Sequence, residues 1–64
     1  MKTISSDFYS IVVTGDETVD VVLSPPDGRL HIVRGVAASD DLLDMLEEDI
    51  RRRYDDWLAS AEKI

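Results

Sequence analysis

The apolar residues of this chain change their spacing near its middle. Up to Arg34 they alternate with polar residues or form short β-branched groups, whereas from Ser39 onward they recur at steps of three and four. Alternation predicts strands buried on one face, and steps of three and four predict an amphipathic helix. A chain of 64 residues has room for one domain, residues 1–64, and not for two. The pattern therefore predicts an α+β domain in which strands precede a helix.

Three strands are expected, at residues 8–14, 18–23 and 29–34. The second connection contains Pro25-Pro26-Asp27-Gly28, in which proline cannot donate to a strand ladder and glycine can take a positive φ. Short connections between successive strands favour an antiparallel meander. Alternation then assigns one set of apolar side chains to the core face of the sheet: Tyr9, Ile11, Val13, Val19, Val21, Leu23, Leu30 and Ile32.

One long C-terminal helix is expected from about residue 40 to 61, with Ser39 as its N-cap. Its apolar stripe consists of Leu43, Leu46, Ile50, Tyr54, Trp57, Leu58 and Ala61. Such a helix is about 33 Å long at 1.5 Å per residue, whereas a strand of this size spans about 20 to 23 Å. The predicted fold is thus a three-stranded antiparallel meander packed against one long helix, which overhangs the sheet unless it bends or a partner covers it.

The chain is acidic, with 14 acidic and seven basic side chains and a formal charge of −7. Residues 37–64 carry nine of those acids and four of the bases, so the predicted helix holds most of the negative charge. Long-range repulsion disfavours direct contact with nucleic acid or anionic lipid, and a charged partner is expected to be basic. Solubility or halophilic adaptation would produce the same composition, so the charge alone does not establish recognition.

Three consecutive arginines, Arg51 to Arg53, interrupt the acidic helix. Each follows an acid by four residues, because Glu47, Glu48 and Asp49 precede them in the same order. This acid-then-base spacing favours ion pairs along a helix face. The triplet is therefore interpreted as a self-paired surface and not as a nucleic-acid site.

Carboxylates on the helix form the first predicted partner surface. Acids one turn apart are separated by about 5.4 Å, which lies in the range of phosphate spacing along a DNA strand. This spacing makes mimicry of nucleic acid conceivable, and charge steering would make association fast and sensitive to salt. The predicted partner-binding residues are Asp40, Asp41, Asp44, Glu47, Glu48, Asp55 and Asp56.

A second predicted surface is the outer face of the sheet. Parity places apolar residues there, which is a pattern found at interfaces with a second copy or a target, although scattered exposed apolar residues are also normal. His31 is expected on the same face as a solvated residue. The predicted interface residues are Phe8, Val12, Val22 and Val33, together with Trp57 at the helix overhang. They support an alternative role as a small homo-oligomeric assembly module.

Catalysis is not expected from this sequence. Cysteine is absent and histidine occurs once, so neither a thiol nucleophile nor an ordinary zinc site is available. No metal ion and no cofactor are expected. The longest apolar runs have three residues, far fewer than the roughly 20 needed for a membrane span, and the first ten residues lack the pattern of a signal peptide. A cytoplasmic protein is the expectation.

In size, charge and layout the whole chain resembles the small inhibitors that phages and other mobile elements encode against bacterial defence systems, anti-CRISPR proteins among them. Asp40-Asp41 and Glu47-Glu48 are consistent with this resemblance, which rests on no diagnostic motif. It implies a stoichiometric, non-enzymatic inhibitor, acting in a bacterial host, that binds the basic surface of a nucleic-acid-binding protein.

Overall fold

The computed structural model describes residues 2–63, apart from the side chains of Asp40 and Lys63. It shows a small α+β domain whose antiparallel strands lie in sequential order in one sheet. Four strands are followed by a short 3₁₀ turn at Asp40–Leu42, by two helices and by a strand of two residues. The elements are β1 Thr3–Ser5, β2 Tyr9–Val13, β3 Thr18–Leu23, β4 His31–Ala37, α1 Leu43–Arg52, α2 Tyr54–Ser60 and β5 Glu62–Lys63.

The prediction of three strands against one long helix is wrong at both ends of the chain. β1 adds a strand before the predicted meander, and Ile4 on it lies opposite Ile11 and packs against the core. The helical segment is interrupted at Arg53, where φ is −119° and ψ is 38°. A straight helix of about 33 Å would be longer than the largest dimension of the molecule, 31 Å. The interruption brings Trp57 against the core, and β5 then continues the sheet.

The start of the helix also differs from the expectation. Ser39 precedes a 3₁₀ turn, in which its carbonyl accepts a hydrogen bond of 2.9 Å from the Leu42 amide. Leu42 occupies the N-cap position of α1, without a capping hydrogen bond from its side chain. Ser39 is therefore not the N-cap that the sequence pattern predicted.

A β-bulge in β4 decides which of its residues face the core. Val21 lies opposite Val33 and Val19 lies opposite Val36, so two residues of β4 oppose the single residue Asp20. Gly35 is one of those two, with a φ of +70°, and its amide donates a 3.0 Å hydrogen bond to Asp20 Oδ1. Because the bulge adds one residue, Val33 and Val36 both pack against the core.

Before the bulge, the pairing of β4 with β3 reverses the predicted assignment of faces in the third strand. Leu30 was expected in the core but is 46% exposed and precedes the strand, whereas His31 is only 8% exposed and lies opposite Leu23. Ile32 pairs with Val22, which places it on the outer face. The helices cover the other face, where the buried core consists of Tyr9, Ile11, Val19, Val21, Leu23, Ala38, Leu43 and Ile50.

Candidate protein-interaction surface

Glu47 and Arg51 face the core side of the sheet and do not form the predicted ion pair with each other within the described structure. Tyr9, buried in the middle of the core, donates a 2.8 Å hydrogen bond from its hydroxyl to Glu47 Oε1. The Arg51 guanidinium lies 6.0 Å from the centroid of the Tyr9 ring. Burial, followed by the bond to Glu47, raises the pKa of Tyr9 above its ordinary value. Glu47 is thus committed to an internal contact, which makes it a poor candidate for binding a partner.

The other two predicted pairs of the arginine triplet are confirmed. Arg52 Nη2 lies 2.6 Å from Glu48 Oε1, and Arg53 Nε lies 2.8 Å from Asp49 Oδ1. Asp49 also accepts a 2.9 Å hydrogen bond from Trp57 Nε1. The Arg53 guanidinium, and then the Trp57 indole, hold the pKa of the Asp49 carboxyl below its usual value. Arg52 and Arg53 are therefore occupied by the protein's own carboxylates, whereas Arg51 lies over the Tyr9 ring and forms no ion pair with a described residue.

Four exposed acids without such partners lie at one end of the molecule. Other exposed acids that form no ion pair with a described residue lie elsewhere: Asp7, Asp55, Asp56 and Glu62. Thr18 lies opposite Ala37, and the Ala38 amide donates a 2.7 Å hydrogen bond to the Glu17 carbonyl. The β2–β3 turn therefore lies beside the segment that leads into α1. We define the acidic pole as four exposed acids at this end, none of which forms an ion pair with any described residue: Asp16, Glu17, Asp41 and Asp44.

Only part of the predicted acidic surface belongs to this pole. Asp41 and Asp44 were predicted, and the Asp40 side chain lies outside the described part of the chain. Asp55 and Asp56 are exposed but lie in the first turn of α2, beyond the interruption. Asp16 and Glu17 were not predicted, because strand pairing brings them to the helix start from more than twenty residues away. Their position in a turn between predicted strands was the signal available in the sequence.

An apolar groove adjoins the acidic pole. Leu42 is 47% exposed and Met45 is 64% exposed, the two largest values among the bulky apolar side chains that the structure describes. They border a depression of about 370 Å³, and a second depression of about 300 Å³ shares Leu42 and reaches Glu17. Both residues lie off the apolar stripe of the predicted helix, which was the sequence signal for this groove. We call the two depressions the pole groove; its remaining lining is Ala37, Ala38, Ser39, Leu46, Glu48, Asp49 and Arg52.

The predicted apolar interface is divided between the two faces of the sheet. Phe8, Val33 and Trp57 pack against the core on the helix side, and Phe8 contacts the Tyr9 and Tyr54 rings. Strand parity leaves Val12 and Val22 on the outer face, where Ile32 joins them. No described helix covers that face. We call Val12, Val22 and Ile32 the outer patch.

His31 is the single buried polar or charged residue of the described chain, contrary to its predicted solvated position. Its Nε2 lies 3.7 Å from Asp27 Oδ2, beyond hydrogen-bonding distance. Neither ring nitrogen has a hydrogen-bond partner among the described residues, and the same holds for the buried Tyr54 hydroxyl. Burial, followed by the charges of Asp27 and Asp55, raises the pKa of Tyr54. Tyr54 also borders a shallow depression of about 330 Å³, which is lined otherwise by the three arginines, Asp55 and Asp56.

The described residues contain no group of three or more His, Asp or Glu side chains placed to hold a metal ion. None of the described helices is long and apolar enough to cross a membrane. Comparison of the chain with protein-family models, with characterised protein sequences and with solved structures found no match.

Proposed function

We propose that this chain is a non-enzymatic binding protein that docks its acidic pole and pole groove onto a basic surface of a partner protein. The observation that carries the proposal is the proximity of two exposed apolar side chains, Leu42 and Met45, to four exposed carboxylates without ion-pair partners. Interfaces commonly combine an apolar centre with a polar rim. The acidic rim selects basic partners, and the groove supplies apolar area that leaves water on binding.

The expected partner is a nucleic-acid-binding protein, because such proteins present the large basic surfaces that suit an acidic ligand. Occupying such a surface would exclude nucleic acid, so the chain would act as a stoichiometric inhibitor. Mimicry of a nucleic-acid strand along the whole helix receives less support, since Glu47 is bonded to Tyr9 and Glu48 to Arg52. The four carboxylates of the acidic pole form no ion pair with a described residue, which favours the pole over the middle of α1 as the recognition surface.

Capture from a bacterial lysate with the tagged chain, at low and high salt, tests this proposal. The test variant carries Asp41→Lys and Asp44→Lys, and its matched control carries Asp55→Lys and Asp56→Lys, which change the net charge equally on α2. We expect the unmodified chain and the control to retain a nucleic-acid-binding protein that salt releases, and the test variant to lose it. The captured protein should then lose DNA or RNA when the chain is added.

Equal capture by both charge-reversed variants would refute a role of the acidic pole. A Leu42→Ser and Met45→Ser variant separates the contribution of the groove from that of charge. Because Met45 is mostly exposed and Leu42 about half exposed, this variant is expected to fold. It should weaken capture without changing the dependence of capture on salt.

The outer patch supports a second candidate, a homo-oligomeric assembly module. Val12, Val22 and Ile32 lie together on a sheet face that no described helix covers, and packing of two such faces would bury them. Val22→Asp, at the centre of the patch, should convert a dimer to a monomer in sedimentation at high protein concentration. Unmodified protein that sediments as one chain throughout would remove this candidate.

A further inference from the structure

The edge of β4 that faces away from β3 is only partly paired. β5 covers it at His31 and Ile32, where these residues lie opposite Lys63 and Glu62. From Val33 to Ala37 the same edge has no strand partner among the described residues. An open strand edge presents backbone N–H and C=O groups in the geometry that another extended chain requires. The opposite edge of the sheet, β1, offers only three residues.

Two depressions lie along this open edge, between β4 and the helices. One, of about 370 Å³, is the larger part of the pole groove and includes Ala37. The other, of about 290 Å³, lies beside Val33 and is lined also by Trp57 and Ser60. The salt bridge between Arg53 and Asp49 separates the two depressions, since Asp49 lines the first and Arg53 lines the second. Each end of the open edge therefore has a place for a side chain.

We propose that the open edge of β4 accepts an extended segment of a partner protein as an added antiparallel strand, in line with β5. Successive side chains of a strand point to opposite faces. Those on the helix side would enter the two depressions and contact Trp57 and Met45, which favours apolar residues at alternate positions. Residues in between would lie on the outer face of the sheet.

Charge indicates the chemistry of that segment. Of the three carboxylates that line the two depressions, Glu48 and Asp49 are paired with Arg52 and Arg53, and Asp56 forms no ion pair with a described residue. The acidic pole lies at the Ala37 end, and the whole chain has a charge of −7. A segment with lysine or arginine among its apolar residues is therefore favoured. A second copy of this chain is disfavoured by the same repulsion.

The bulge at Gly35 makes the edge selective. Bulges and charged side chains reduce indiscriminate pairing between strand edges, and Arg34 beside the bulge is exposed. Only a segment that fits both depressions gains enough contact to offset the distorted pairing. This inference rests on the proposed role as a binding protein, but it requires neither Asp41 nor Asp44.

A display library of random heptapeptides, selected on the immobilised chain, provides the probe. We expect enriched peptides that alternate apolar residues with lysine or arginine. A synthetic copy of the most enriched peptide should slow hydrogen exchange of amides within Arg34–Ala37 by about tenfold or more. Two further copies of this peptide test backbone pairing. One is N-methylated on its odd-numbered residues and the other on its even-numbered residues, and each methyl group removes a backbone N–H donor. Methylation of the amides that point toward β4 should abolish binding, and methylation of the amides that point away from β4 should leave binding unchanged.

Three results would overturn the inference: no enrichment of alternating peptides, protection of amides elsewhere than on β4, or equal binding of both N-methylated copies. Hydrogen exchange at Arg34–Ala37 could also slow without peptide as the protein concentration rises. That result would mean that the open edge pairs with a second copy of this chain instead. A chain with Asp41→Asn and Asp44→Asn should still bind the peptide. The peptide experiments therefore test strand addition, and lysate capture tests the acidic pole, so either hypothesis can fail without the other.

Discussion

Asp49 links two residues that follow it by one and two helical turns across the interruption at Arg53. Arg53 bonds to both carboxylate oxygens, and the Trp57 indole donates to one of them. Trp57→Phe keeps the apolar ring but removes this donor, so we expect the pKa of Asp49 to rise. It should stay below its ordinary value of 3.8, because the Arg53 hydrogen bond is the larger cause of the depression. Carboxyl NMR titration of both proteins measures the change.

The same contact has a consequence for stability. A carboxyl whose pKa is lowered by folding stabilises the folded state above its unfolded pKa, and this contribution is lost as pH falls through the folded pKa. Trp57→Phe should therefore weaken the acid dependence of unfolding below about pH 3.8, and Asp49→Asn should remove this component. An unchanged Asp49 titration in Trp57→Phe would show that the indole contact does not persist in solution.

Tyr9 provides a prediction in the alkaline range. Tyr9→Phe retains the buried ring and removes the bond to Glu47, so we expect a loss of about 1 kcal/mol at neutral pH. The raised pKa of Tyr9 means that its neutral form stabilises the fold below pH 10.0, the ordinary value, and that this contribution is lost as pH rises above it. Urea unfolding at neutral and alkaline pH measures both effects. Tyr54→Phe is the control for the loss at neutral pH, since its hydroxyl has no described partner; it is not a control for the alkaline effect, because the pKa of Tyr54 is also raised.

At the scale of elements, the conformation of Gly35 is a testable requirement of the bulge. Gly35→Ala meets open space, because nothing lies within 4 Å of the added Cβ, so its cost is conformational. A left-handed conformation costs a non-glycine residue roughly 1–2 kcal/mol, and we expect a loss of that size in urea unfolding. Gly35→Asn should cost less, because asparagine tolerates this region better. Equal stability of the alanine variant and the parent would mean that the bulge is not required.

Elements that depend on neighbouring residues were predicted better than those set by distant contacts. The strand Thr18–Leu23 has the predicted bounds, because its alternation and flanking turns are local. β1 contains one apolar residue among polar ones, and only its pairing with β2 makes it a strand. The helix is interrupted at Arg53 without proline or glycine, because the segment must return to the sheet. Local propensity carries no signal for such a return.

In the candidate interaction surface, too, contacts between neighbouring residues were predicted and contacts between distant residues were not. The pairs Glu48 with Arg52 and Asp49 with Arg53 follow from helix geometry, and both were predicted. The commitment of Glu47 to Tyr9 joins residues 38 positions apart and could not be derived from spacing. The faces of Ile32 and Val33 similarly follow from the pairing of β4 with β3, and the bulge changes the parity once more before Val36. The acidic pole depends on both local spacing and distant contacts. Its residues at the helix start, Asp41 and Asp44, were predicted, whereas its residues in the β2–β3 turn, Asp16 and Glu17, were not.

At the scale of the molecule, the charge of −7 on 64 residues predicts how stability responds to salt. Self-repulsion opposes the compact state, whereas the exposed pairs Glu48–Arg52 and Asp49–Arg53 contribute little. Raising sodium chloride from about 0.01 M to about 1 M shortens the Debye length from about 30 Å to about 3 Å. Repulsion should be screened more than attraction, so we expect thermal unfolding at neutral pH to move to higher temperature.

The variant Asp41→Asn with Asp44→Asn tests the origin of that response, because it reduces the net charge from −7 to −5 and removes two unpaired acids of the pole. It should unfold at a higher temperature than the parent in low salt, and the two proteins should converge in high salt. The matched control is Glu48→Gln with Arg52→Gln, which removes an ion pair and leaves the net charge unchanged. The opposite result is a pole variant whose unfolding temperature changes with salt as the parent's does, together with a control whose unfolding temperature changes less. That result would mean that attraction within the helices, and not repulsion at the pole, governs the stability of this chain.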